Sequence, residues 1–146
     1  MKNKRILVVI DSLGYGGAER LVVSLLPYIE KYNYKFDVMV LFSDLSLKPE
    51  IELSGINVIT LNQDYADRWS VLRLFYYFRA AVVDKKYDII WGHLFFGNLY
   101  SGLYGIFCKS TKVIWTLHSP CYGVLNQKKF YHKPRQLFEK FCGNLF

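Results

Sequence analysis

Near the amino terminus, ten residues (Asp11-Ser-Leu-Gly-Tyr-Gly-Gly-Ala-Glu-Arg20) follow directly on an apolar run, and three of them are glycine. Adjacent glycines such as Gly16 and Gly17 let a backbone come close to a ligand. The N–H groups that open a helix have no intrahelical partner, so such a turn suits an anion. Two acid–base candidates lie further on, His93 in Trp91-Gly-His93 and His118 in Trp115-Thr-Leu-His118. Each closes a strand-like run, and an imidazole can donate or accept a hydrogen bond near neutral pH. Asn98 and Ser119 are weaker polar candidates beside them. Glu19 and Arg20 admit two readings each. Glu19 either orders the glycine turn or complements the helix dipole; Arg20 either meets a phosphate or an acceptor, or is simply solvated. Asp11 reads as a structural cap for the turn.

Two phosphate-cradling motifs do not fit. Gly14 and Gly16 match the first two glycines of a dinucleotide fingerprint, but Glu19 stands where the third belongs. No acidic residue closes the second strand, since Asp44 comes too late, so a nicotinamide-dependent oxidoreductase is disfavoured. The G-K-[ST] ending of a P-loop is absent as well.

These residues must be held by elements whose order is legible. Lys4–Ile10 is a continuous β-branched run, the mark of a strand buried on both faces. A helix follows from Ala18 to about Tyr32, with Leu21, Leu25 and Ile29 recurring every four residues and Val22 and Leu26 beside them. Pro27 lies inside it and should kink it or cost about 3 kcal/mol locally. Then come a strand Phe36–Phe42, a short helix Pro49–Ser54 closed by Gly55, and a strand Ile56–Leu61. A long helix Arg68–Lys86, a strand Asp88–Trp91, a helix Gly97–Lys109 and a strand Lys112–Leu117 follow. A loop and helix over Gln127–Phe146 end the chain. Strands alternating with helices at this spacing predict an α/β fold, a parallel sheet with helices on both faces.

The 146 residues are 52% hydrophobic and 18% aromatic, which suits one domain, 1–146, with a real core. Its sheet reads as incomplete at the C-terminus, because the chain stops where another strand is due. Nineteen Lys and Arg against twelve Asp and Glu give a net charge of +7. These positives are scattered and densest between Lys128 and Lys140, without a nucleic-acid-binding signature, so nucleic acid is not an expected partner. Cys108, Cys121 and Cys142 form no CxxC pair, which fits reduced thiols in the cytoplasm and no metal. The apolar run after Arg5 stops at Asp11, too short for an export signal. Ile89–Cys108 has no charged residue over twenty positions, but His93, Asn98 and four glycines interrupt it, and a strand-to-helix break explains it better than a membrane span.

Two helix faces bear on surroundings. Gly97, Ser101 and Gly105 fall four apart and form a smooth ridge fit to pack on a sheet. If Arg68–Lys86 is one helix, Arg68, Arg79 and Lys86 share a face among aromatic neighbours. That face suits either an anionic membrane surface or a solvated edge.

Gly16-Gly-Ala-Glu-Arg20 opening the first helix, His93 after the fourth strand, Trp115-Thr-Leu-His118 closing the fifth and the basic, aromatic loop beyond resemble family 4 glycosyltransferases over the whole chain. The resemblance implies the N-terminal, acceptor-side, Rossmann-like half of a two-domain GT-B enzyme. It also implies retention at the anomeric carbon, no bound metal and no cofactor other than the nucleotide-sugar donor as substrate. The acceptor would be a saccharide or a lipid-linked carbohydrate, in cell-surface polysaccharide or glycoconjugate synthesis, in the cytoplasm or at the inner face of the membrane. On the same resemblance Gly16 and Gly17 approach the donor diphosphate and His118 contacts the donor sugar or reacting centre; Glu19, Arg20, His93, Asn98 and Ser119 are read as acceptor or cleft residues. The donor domain's Glu-x7-Glu motif is absent, since Glu139 is the only Glu beyond residue 60. The chain alone is therefore expected to be inactive and to need a donor domain in cis or in trans. A non-catalytic Rossmann-like binding module, or the acceptor subunit of a split enzyme, accounts for the same features.

Overall fold

The computed structural model describes residues 4–118. The chain divides into two compact units, Met1–Thr116 and Leu117–Phe146. Only Leu117 and His118 of the second unit lie among the described residues; Ser119, the Lys128–Lys140 stretch and the helix expected over Gln127–Phe146 lie outside them.

In the first unit five strands form one parallel sheet: β1 (Lys4–Ile10), β2 (Tyr34–Phe42), β3 (Asn57–Gln63), β4 (Ile89–His93) and β5 (Lys112–Thr116), in the order β3-β2-β1-β4-β5. β1 is central because its residues can be buried on either face. Leu7 through Ile10 are wholly buried, with Val8 in register with both Val38 and Trp91. The helices are α1 (Gly17–Glu30), α2 (Lys48–Leu53), α3 (Val71–Val82) and α4 (Leu94–Phe107), with a 3₁₀ turn at Tyr65–Asp67 before α3. The expected α/β architecture holds in class, element order and strand direction.

Several boundaries move, each for a local reason. The expected helix Arg68–Lys86 is shorter at both ends. Asp64 accepts a hydrogen bond from Ala66 N at 2.8 Å and so caps the 3₁₀ turn, which makes Arg68 part of a turn rather than of a helix. At the other end α3 stops at Val82, and Lys86 has a left-handed φ of 49°. Of the three basic residues expected on one face only Arg79 is helical, so the shared face does not exist. In α1, Pro27 lies inside the helix without ending it. Its buried stripe is Val22 and Leu26, with Ile29 packed partly against the core, whereas Leu21 is 47% exposed. Both stripes were legible; packing against the core selects Val22 and Leu26.

α4 starts three residues earlier than expected, because β4 runs into it without a loop. His93 ends the strand and Leu94 begins the helix with φ 62°. A left-handed leucine costs about 1–2 kcal/mol, and the packing of Leu94 against the core offsets it. The smooth ridge on α4 packs on the sheet as expected. Gly97 lies so close to β1 that an added Cβ would stand 2.5 Å from Val9 O, and Ser101 is fully buried. No helix among the described residues is long and apolar enough to cross a membrane.

Candidate functional site

The chain runs outward from β1 through β2 to β3, then crosses back to place β4 on the other side of β1. This reversal makes a crevice at the carboxyl ends of β1 and β4, where open parallel sheets bind their ligands. The helices that follow the two strands at the switch point, α1 after β1 and α4 after β4, both begin there, and their N-termini differ. The start of α4 is already occupied. Asp11, just past β1, accepts hydrogen bonds from Gly97 N at 2.7 Å and Phe96 N at 3.3 Å, a carboxylate on the positive end of the helix dipole. The start of α1 has no side-chain cap: Gly16 is its N-cap and Gly17 its first residue. Asp11 thus does structural work, as expected, with the α4 amides as its partners.

The glycine turn is walled on one side. Leu13 is fully buried and pinned between its N–H bond to Asp44 O (2.8 Å) and the bond Leu47 N donates to Leu13 O (2.7 Å). The Asp44 carboxylate fills the space where Gly14 would carry a Cβ, and it also takes a hydrogen bond from Ser46 Oγ at 2.8 Å. At Gly16 the neighbour is Glu19. Ser12 Oγ donates to Glu19 Oε1 at 3.2 Å, and the carboxylate folds back over the Gly16 Cα. This is the loop-ordering reading of Glu19. Gly17 differs from both: it is exposed, its φ is not left-handed, and nothing lies within 4 Å of where its Cβ would stand. The fold makes no demand for glycine there.

Arg20 does not point to an open anion site. Its guanidinium spans both oxygens of Glu50 at 3.2 and 3.3 Å and lies over the Tyr15 ring, in an exposed arrangement. With Asp11, Asp44 and Glu19 nearby, the turn itself offers amides and room rather than positive charge.

His93 is 1% exposed, its ring 4.7 Å from that of Trp91, inside the crevice wall rather than on its surface. Asn98 is also buried and donates from Nδ2 to Thr116 O at 3.2 Å. Trp91 Nε1 donates to Thr116 Oγ1 at 2.7 Å, so the last residue of β5 is held twice, two positions before His118. His118 itself is half-buried and belongs to the second unit. The contact of Asp44 with Gly14 and the Trp91–Thr116 clamp escaped the sequence reading. Residues 25 to 30 positions apart carry no local signal of contact, which arises only from strand adjacency.

Sheet order and switch point define a Rossmann-like α/β domain. The sequence model of Glycosyltransferase Family 4 matches residues 15–146, and the chain belongs to that family. The match starts at Tyr15, beside the glycine pair. No curated protein matches the chain by sequence. Among solved structures it is similar to a candidate UDP-N-acetylglucosamine 2-epimerase from Listeria monocytogenes (TM-score 0.66) and to CalG4, the calicheamicin glycosyltransferase (TM-score 0.57). Each shares 13% identity with it, and in each case 98% of this chain aligns with 38% of the other. At that identity the likeness speaks for the fold. The chain spans less than two-fifths of the length of these structural relatives.

Proposed function

We propose that this chain is the acceptor-side half of a retaining glycosyltransferase that moves a sugar from a nucleotide-sugar to a saccharide or lipid-linked acceptor. Membership of Glycosyltransferase Family 4 supports the reaction class. One observation carries the site. Of the two helix N-termini at the switch point, α4 is filled by Asp11, while α1 takes no side-chain cap from its N-cap Gly16, has the Glu19 carboxylate over Gly16, and opens with Gly17, a glycine that the fold does not need. A backbone stripped of side chain at that point is what the close approach of a diphosphate requires.

In the reaction the anomeric carbon exchanges a diphosphate oxygen for an acceptor hydroxyl oxygen, and the hydroxyl proton leaves with the diphosphate. The amides of α1 stabilise the departing charge. The carboxylates around the turn mean that the balancing cations come from elsewhere in the protein. His118, two residues past β5, is the group we assign to the donor sugar.

The test is release of nucleoside diphosphate by the full-length protein across a panel of nucleotide-sugars with a saccharide extract as acceptor. His118→Ala is expected to lower kcat by about 100-fold or more, as loss of a positioned imidazole does. No turnover of any nucleotide-sugar, or turnover indifferent to His118, would refute the assignment.

A further inference from the structure

The aromatic residues of the crevice rim are not distributed like a core. Phe42 ends β2, Phe95 and Phe96 lie in the first turn of α4, Tyr65 opens the 3₁₀ turn that follows β3 and Trp69 comes two residues after it, so all five stand at the carboxyl edge of the sheet. They form one connected stack. Tyr65 lies 5.1 Å from Phe42, and Trp69 lies 5.6 Å from Phe96 and 6.4 Å from Phe95. Phe42 and Phe96 are buried, yet Tyr65 is 54% and Trp69 67% exposed. The exposed pair is thus held rigidly from beneath, at little conformational cost.

A cation completes it. The Arg68 guanidinium lies 4.5 Å from the centre of the Tyr65 ring and 5.8 Å from that of Trp69, with Nη1 donating to Tyr65 O at 2.9 Å. Arg5, Arg20 and Arg73 are paired with Asp37, Glu50 and Asp67. Arg68 has no carboxylate partner among the described residues. The nearest acidic neighbours in sequence are engaged, Asp64 as the cap of the turn and Asp67 with Arg73 at 2.7 Å. The remaining N–H groups of Arg68 are a fork shaped for a carboxylate or phosphate.

We propose that Tyr65, Arg68 and Trp69 form an acceptor subsite for an acidic sugar ring, the pyranose face lying on the exposed indole and its carboxylate or phosphate taken by Arg68. The inference rests on the acceptor-side reading above and names the class of acceptor. Pyranose rings present C–H groups on one face and polar groups at the edge, which is the complement of exposed rings flanked by a guanidinium.

Calorimetric titration of the full-length protein tests it, with a glucuronate-terminated oligosaccharide, its carboxyl-reduced neutral counterpart and glucose 1-phosphate as probes. One or both acidic probes are expected to bind, and the better of the two identifies the acid. Arg68→Gln is expected to weaken the acidic probe about tenfold and leave the neutral one unchanged, the loss of one charge-assisted contact. Trp69→Ala is expected to weaken acidic and neutral probes alike by about tenfold or more, and Trp69→Phe to restore most of the affinity. All three changes are at the surface, and a melting curve confirms the fold. Affinities equal to wild type in Arg68→Gln and Trp69→Ala overturn the subsite. So does a blue shift of tryptophan emission on phosphatidylglycerol vesicles that Trp69→Phe abolishes, with no binding of any saccharide, which would make this edge a membrane contact. If these variants bind normally while Gly17→Ala and His118→Ala still lose turnover, only the subsite falls; if the latter two are unaffected, the acceptor-side reading falls first.

Discussion

Replacing Gly17 by alanine separates what the fold needs from what a ligand needs. Gly17 is the first residue of α1, exposed, with open space where a Cβ would project. Alanine is the better helix former by about 1 kcal/mol in a helix interior and by less at a first position. The variant should therefore be as stable as the wild type or more stable by about 0.5 kcal/mol, a rise in Tm of about 2 °C at this size. On a bound diphosphate the sign reverses. A side chain at the start of a helix points back over the N-terminal amides, where the phosphate must come. A charge-assisted hydrogen bond contributes about 1.5–3 kcal/mol, so losing one lowers kcat/KM by roughly 10- to 150-fold. The assay pairs diphosphate release by the full-length protein with a thermal melt. An unchanged kcat/KM at unchanged Tm refutes the argument, because the methyl would then be meeting only water. A fall in Tm of more than about 4 °C refutes the structural half, since about 1 kcal/mol would then have been lost at a site with no neighbours.

Gly97→Ala should behave in the opposite way. Its methyl meets the backbone of Val9, which cannot swing aside, and the displacement also strains the Asp11–Gly97 hydrogen bond; a loss of about 3 kcal/mol is expected in urea unfolding, and a loss under about 1 kcal/mol would refute the close approach. Tyr100→Phe should stabilise by about 1 kcal/mol at pH 7, because its hydroxyl is fully buried with no hydrogen-bond partner among the described residues. The same residue controls part of the alkaline limit. Burial, and then the nearby Asp11 charge, push its phenol up to about 12 from an ordinary 10. Because the folded state holds the phenol proton more tightly, this titration leaves stability unchanged below pH 10 and lowers it as pH rises toward 12, at about 1.4 kcal/mol per pH unit. Urea midpoints between pH 9 and 11.5 should thus fall less steeply in Tyr100→Phe than in wild type, and identical slopes would show that Tyr100 does not titrate in that window.

The fold was legible to the extent that apolar runs are one-dimensional. Lys4–Ile10 reads as a strand buried on both faces, which holds from Ile6 onward, and the glycine turn after it marked the carboxyl end of the sheet. Gly16 and Gly17 were likewise visible as a helix opening without side chains. Helix limits were not. Arg68 to Lys86 has helical periodicity throughout, yet the Asp64 cap and the left-handed Lys86 cut it at both ends. Periodicity records which residues prefer one face and says nothing of where a competing cap interrupts it.

Three further features were decided by the tertiary structure alone: the choice of Val22 and Leu26 over Leu21 as the buried stripe of α1, the filling of the α4 terminus by Asp11, and the assembly of Phe42, Tyr65, Trp69 and Phe96 at one edge. Asp11 and Gly97 stand 86 positions apart, joined by 2.7 Å. A sequence specifies by its side chains which segments can be strands and helices. The contacts that form a site are made between segments, and they exist only once the parallel pairing of β4 with β1 has closed the distance.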